Sequence, residues 1–187
     1  MSGDEDRVFC YRIPEHYWRN PSHAKNLGVS LARQDVVIVQ DAEILHESNI
    51  LETVGDFFNK AEGYGSVIML KPEGAWYEEQ GKSPEWQPVP ARTCMLFAMR
   101  RSDFIRLGGF NEKWYTQWGN DDVEFTDRIE AAEGAIVEHP DIKVRHLAHE
   151  PVPPGNYDRW IKECHWKDRY VERLKMGRAR PYLLWRH

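Results

Sequence analysis

The 187-residue sequence contains no apolar run approaching the ~20 residues that a helix needs to cross a bilayer. It opens with Met1-Ser2-Gly3-Asp4-Glu5-Asp6, acidic where a secretory signal is basic and then apolar. Both features argue against a membrane span and against export, so a cytoplasmic protein is expected. Cysteine is scarce: Cys10, Cys94 and Cys164 lie far apart, an odd count that closes no disulfide framework and offers no paired spacing for zinc. Repeats and low-complexity tracts are missing, which sets aside solenoids and compositionally disordered chains. A basic surplus is missing too, since the net charge is −5. It is unevenly spread: residues 156–187 hold nine Lys/Arg against four Asp/Glu, and residues 1–155 hold sixteen against twenty-six. A body this acidic repels a phosphate backbone, so a nucleic-acid partner is disfavoured.

Apolar residues make up 41% of the chain, and eight Trp, eight Tyr and seven Phe can fill one core. The strongest break is Pro151-Val152-Pro153-Pro154-Gly155, which cannot be helical and divides a body, residues 1–150, from a linker and basic arm, residues 151–187. Within the body, residues 8–13, 36–39, 66–70, 94–99 and 142–147 read as strands. Helix patterns cover residues 22–33, 47–61, 101–107 and 121–133. Their alternation predicts a sheet sandwiched by helices. Residues 71–90, rich in Pro, Gly, Glu and Trp without periodicity, read as a long loop of the kind that serves as a lid. Residues 156–175 read as a helix carrying Trp160, Cys164 and Val171.

Three constellations can carry chemistry. A buried strand, residues 36–39, runs into Gln40-Asp41-Ala42-Glu43, and ligands of open α/β sheets sit at such carboxyl ends. If the chain stays extended, Asp41 and Glu43 face one side and can reach one hard cation or a ribose; ordinary loop acids would look the same. Asp121, Asp122 and Glu124 open a helix after Trp118-Gly119-Asn120. Helix-start acids suit the macrodipole, yet Gly108-Gly109 and Trp118 upstream supply the flexible backbone and aromatic surface of a sugar-sized pocket with a carboxylate base. The third is His139, His146 and His149. The last two are three apart, so in a regular strand they face opposite sides and cannot share a metal unless the strand ends between them.

In order, these pieces resemble the later part of a GT-A-type glycosyltransferase, the nucleotide-sugar-dependent class that includes inverting family 2 and galactosyltransferase-like family 7. Residues 20–29 resemble the "A-R-N-x-G" helix of such enzymes, with Lys25 where Arg is frequent, followed by Asn26. Asp41-Ala42-Glu43 is similar to their D-x-D metal motif. Gly109-Phe110-Asn111-Glu112, then Trp118-Gly119-Asn120-Asp121-Asp122 and Arg128, resemble "G-F-N-E … W-G-x-E-D … R" of family 7. The resemblance implies a truncated GT-A, Rossmann-like mixed sheet flanked by helices, with a C-terminal helical arm. It implies a hexosyltransferase-like enzyme moving a sugar from a nucleotide-diphosphate donor to a carbohydrate or other hydroxyl acceptor with inversion. Asp122 is implied as the base and Asp121 as an acceptor contact. Asp41, Glu43 and His146, or His149 in the other register, are implied as ligands of Mn²⁺ or Mg²⁺. Lys25, Asn26, Asp41, Gly109 and Trp118 are implied at the donor. Members of the class carry a further N-terminal βαβα stretch that seats the nucleotide base before the segment that begins here near Arg7. Weak, poorly discriminating donor binding is therefore expected, unless a partner chain or homodimer supplies that wall. The competing readings are a catalytically silent carbohydrate-binding or scaffold domain derived from such an enzyme and, less favoured by the charge, a metal-dependent nuclease.

Overall fold

A computed structural model describes residues 10–11, 21–61, 67–79, 81–112 and 121–149. Trp118, the arm predicted over 156–175 and the linker lie outside the described residues, as does most of the strand predicted over 8–13. Of that strand Cys10 and Tyr11 are described, and neither is in a strand.

The element order is α1 (Pro21–Leu31), β1 (Val36–Gln40), β2 (Ile44–His46), α2 (Ile50–Lys60), β3 (Ile68–Pro72), β4 (Gly74–Tyr77), β5 (Glu85–Pro88), β6 (Leu96–Arg100), α3 (Arg101–Leu107), α4 (Asp121–Ala131), β7 (Ala135–His139) and β8 (Val144–His146). They form two mixed sheets. The first is ordered β1-β6-β3-β7, antiparallel except for the parallel β3–β7 pair. The second is ordered β2-β8-β4-β5, antiparallel except for β4–β8.

The first sheet is buried on both faces, and period-two alternation sorts its side chains between two cores. Val37, Val39, Met69, Phe97 and Met99 meet Val29 of α1, Phe104 and Leu107 of α3, and Phe125 and Ile129 of α4. Ile68, Leu70, Leu96 and Ala98 point the other way, to Ile50, Val54 and Phe58 of α2 and to Ile44, Ala75 and Val144 of the second sheet. Helix α2 presents those three residues at i, i+4, i+8, one stripe. It starts at Asn49, whose side chain accepts the Glu52 N–H while its amide donates to the Glu52 carboxylate. Helix α3 stops at Gly108, φ +90°, with Gly109 at φ +65°, a left-handed pair suited to residues without a Cβ.

The predicted helices over 22–33, 47–61, 101–107 and 121–133 and the strands over 36–39, 66–70, 94–99 and 142–147 are all present within a few residues. The lid-like loop predicted over 71–90 is not what forms. The end of β3 and the hairpin β4–β5 occupy it, and the latter joins β8 to make the second sheet. The hairpin shows no sequence alternation because every side chain of β5 is exposed, Pro88 sits on an edge strand that needs no further pairing, and Gly74 is packed beneath an indole. Strands β2 and β7 were also not legible; β2 has three residues and β7 is half-buried at an edge.

Candidate active site

The sheet order brings the carboxyl end of β1, the start of α4 and the end of β8 together. Asp41 continues the β1–β6 ladder by one bond, its N–H donating to Met95 O at 2.9 Å, and its own carbonyl accepts from Ile44 N–H at 3.3 Å. That second bond closes a turn through residues 42 and 43. The extended chain that would have put Asp41 and Glu43 on one side therefore ends at Asp41.

The two acids go to different partners. The Asp41 carboxylate lies 3.3 Å from Lys25 Nζ, and Asp121 lies 3.4 Å from the same nitrogen on another side. Lys25 reaches there from α1, over the Phe110 ring at 5.0 Å. Burial alone would depress its pKa, but Asp121, Asp41 and Asp122 together outweigh burial and hold it well above the ordinary lysine value. Lys25 is thus a fixed cation. Asp41 is also moved upward, by burial first, with Lys25 opposing and Glu43 adding.

Glu43 faces β8. The β2–β8 register, Ile44 opposite His146, is prolonged by Leu147 N–H donating to Glu43 O at 2.9 Å. β8 ends at His146, so the alternation that would separate His146 from His149 no longer applies beyond it. The two imidazoles come to 5.2 Å between centroids, and Glu43, His146 and His149 each offer a ligand atom within 4.8 Å of the others. The two histidines read as alternative registers thus lie side by side near Glu43. Asp41, expected as a ligand, stands outside this group on Lys25. His139 does too, at the far end of β7 against Phe57, with its Nδ1 accepting the Asp141 N–H.

Asp122 is held by two backbone donors. Val123 N–H reaches Oδ1 at 2.8 Å and Cys94 N–H reaches Oδ2 at 3.3 Å. Burial first, and then the charge of Asp121, push its carboxyl up to about 6, despite those bonds and Lys25. A carboxyl titrating there is ionised at neutral pH yet a better base than an ordinary aspartate.

Two predicted contacts are reassigned. Asn26 is fully buried; its amide donates to Phe110 O and Glu112 Oε1, both at 2.8 Å, and its Oδ1 accepts Phe110 N–H at 2.7 Å. It ties α1 to the 110–112 loop and cannot touch a ligand directly. Gly109 is likewise buried, its N–H donating to Phe104 O at 3.0 Å, and it sets the loop's path. Residues not anticipated are Tyr77, whose ring stacks on His146 at 5.2 Å, and the Cys94 amide. Neither had a signal, because the first depends on an unforeseen sheet and the second on backbone.

No curated protein matches this sequence. Residues 87–150 match the family model described as the N-terminal domain of galactosyltransferase. Among solved structures, GalNAc-T7 with UDP, GalNAc and Mn²⁺ superposes at TM-score 0.57 and 17% identity, over 86% of this chain and 39% of that one. The Drosophila β1,4-galactosyltransferase 7 catalytic domain with xylobiose gives 0.46 and 17%, over 78% and 51%. The Pyrobaculum calidifontis mannosyltransferase PcManGT with GDP-Man and Mn²⁺ gives 0.48 and 20%, over 90% and 47%. The fold is that of the GT-A glycosyltransferases, a mixed α/β arrangement, and the match to GalNAc-T7 carries that assignment. The chain spans 39–56% of the length of these structures and of a second Drosophila β1,4-galactosyltransferase 7 complex. Among the described residues no helix is long and apolar enough to cross a membrane.

Proposed function

We propose that the chain is the metal and acceptor side of a glycosyltransferase that moves a sugar from a nucleotide-diphosphate donor to a hydroxyl acceptor with inversion. The observation that carries this is the Glu43–His146–His149 group, joined through Asp41 and Lys25 to the half-buried Asp122 carboxylate raised to about 6, on a GT-A fold. GalNAc-T7, which shares that fold, is bound to UDP, GalNAc and Mn²⁺. Two imidazoles and a carboxylate suit a first-row transition dication such as Mn²⁺ better than Mg²⁺, which takes oxygen ligands. Bound there, a dication would offset the charge that develops on the departing diphosphate.

The remaining steps belong to the protein. Asp122 accepts the proton of the acceptor hydroxyl. The acceptor oxygen then bonds to the anomeric carbon from the face opposite the diphosphate oxygen, whose bond to that carbon breaks. The Cys94 and Val123 amides keep Asp122 in one orientation, so no reorganisation is needed at the moment of transfer. Lys25 balances Asp41 and Asp121, leaving Asp121 beside the acceptor and Asp41 within reach of the donor ribose. Tyr77 braces the His146 ring from the side. Beyond the described residues, Trp118 is assigned to the sugar pocket, and a partner chain or homodimer would close the donor side.

Mn²⁺ is expected to raise the melting temperature. A site bound only in the folded state contributes RT ln(1 + [L]/Kd), about 2.7 kcal/mol at a hundredfold excess over Kd. The rise should vanish in Glu43→Ala and in His146→Ala, and Mg²⁺ at equal concentration should give less. Equal stabilisation of wild type and both variants in differential scanning fluorimetry would remove these residues from the site.

A further inference from the structure

On the face of the second sheet turned away from the core, Leu45, Arg145, Trp76 and Trp86 form one cross-strand row, each directly opposite the next. Trp76 is 42% exposed and Trp86 47%. Two tryptophans half open to water forgo much of the stabilisation that burying them would give. Their placement is nevertheless built: the Trp86 indole packs so closely over Gly74 that any Cβ there would collide with it. The two indoles, Glu73, Pro140, Ile142 and Lys143 bound a recess of about 180 Å³. That volume suits one six-membered ring, below the roughly 300 Å³ at which drug-sized pockets begin.

The rim chemistry selects among occupants. Glu73 and Lys143 carry opposite charges, so the rim is neutral overall while offering both an acceptor and donors. Arg145, next in the row, is already balanced by Glu47 at 2.5 Å and Glu78 at 3.2 Å. A phosphate would meet Glu73 without a surplus cation. A protein partner would find the Trp pair cut off from Leu45 by that ion triad, leaving an apolar patch smaller than stable interfaces use. An uncharged sugar fits both features: its C–H face stacks on an indole, and its hydroxyls reach Glu73 and Lys143. Trp76 and Tyr77 point to opposite faces of β4, and Tyr77 is the residue stacked on His146, so this recess is separate from the transfer site.

We propose that the Trp76–Trp86 recess binds an uncharged pyranose residue. Its assignment to a distal unit of an extended acceptor rests on the proposed transferase function; the binding itself does not. The test uses the full 187-residue chain without metal or nucleotide. Glucose, galactose, mannose, xylose, N-acetylglucosamine, N-acetylgalactosamine and xylobiose are titrated at millimolar concentration, read by tryptophan fluorescence and saturation-transfer NMR. At least one should bind, with Trp86→Ala and Trp76→Ala each weakening it about tenfold or more, the scale of one lost aromatic contact. Trp86→Tyr should restore part of it, and Asp122→Asn should leave it unchanged. Absence of binding, or binding indifferent to both tryptophans, would overturn the proposal. So would self-association that Trp86→Ala abolishes without any sugar effect, since the face would then belong to a second copy. Sugar binding without transfer would sink the transferase reading alone, and transfer without this binding would sink the recess alone.

Discussion

Replacing Asp122 by asparagine is expected to lower turnover by about 10²–10⁴, the usual contribution of general base catalysis, while leaving the fold and the Mn²⁺ response intact. Asparagine keeps the size of the side chain and can still accept from the Cys94 or Val123 amide, so the start of α4 should hold its shape. The pH profile supplies a second readout. A base must be ionised to act, and this carboxyl is raised to about 6, so kcat/KM should climb as pH rises through that region and level off above it. After burial, Asp121 is the largest contributor to the upward shift. Asp121→Asn should therefore move the acid limb to lower pH. For stability the sign is reversed: the folded chain holds the Asp122 proton more tightly than the unfolded one, so this residue costs stability as pH rises from the ordinary aspartate value to about 6. A profile flat from pH 5 to 7, or an Asp122→Asn variant with wild-type turnover, would leave Asp122 as a helix-start acid only.

The largest stability effect is expected at Glu124. Its carboxylate meets Arg128 Nη2 at 2.8 Å, one turn along α4, with both side chains 1% exposed. Arg128 also donates from Nη1 to Leu107 O at 2.8 Å and lies over the Phe125 ring at 5.1 Å, so the pair joins α4 to the end of α3. Removing one partner of a buried ion pair leaves the other charged in a low-dielectric surround, which costs roughly 3–5 kcal/mol. Glu124→Ala should lose about that much in urea denaturation, a large part of a domain's whole stability. The double variant Glu124→Leu/Arg128→Met should recover most of the loss but not all, because Leu107 O then lacks its donor at a cost of about 1–3 kcal/mol. A loss under about 1 kcal/mol for Glu124→Ala would mean that water reaches Arg128.

What could be read from the sequence follows what is local. The span of α3 is given by its residues, with Arg101 after a strand and Gly108 at its stop, and α4 by its leading acids and the Phe125–Ile129 stripe. The strands of the first sheet were visible because burial on both faces leaves continuous apolar runs. The second sheet was not, because Gly-Ala-Trp-Tyr and Glu-Trp-Gln-Pro carry no alternation and acquire their state from pairing with β8. Lys25, Asp41 and Asp121 could each be singled out from motif, but not that one ammonium sits between carboxylates contributed by β1 and α4. Nor could the sequence show that His146 and His149 come together, since that depends on where β8 stops. The reassignment of Asn26 from ligand contact to backbone clamp has the same origin, as its partners Phe110 and Glu112 are more than eighty residues away.

Strand β8 is the middle piece of the second sheet, pairing with β2 on one side and β4 on the other, and β7 closes the first sheet against β3. Both arrive only after more than 130 residues have been made. On the ribosome, β2 and the β4–β5 hairpin therefore wait with unpaired edges while the intervening helices form, and the sheets complete only when residues 135–146 emerge. Glu43 gains its two histidine neighbours only after that, once residue 149 has followed. If the Glu43–His146–His149 group holds an ion as proposed, binding would require residue 149 to have been made, and a nascent product released before residue 144 would carry open strand edges, a species suited to chaperone capture.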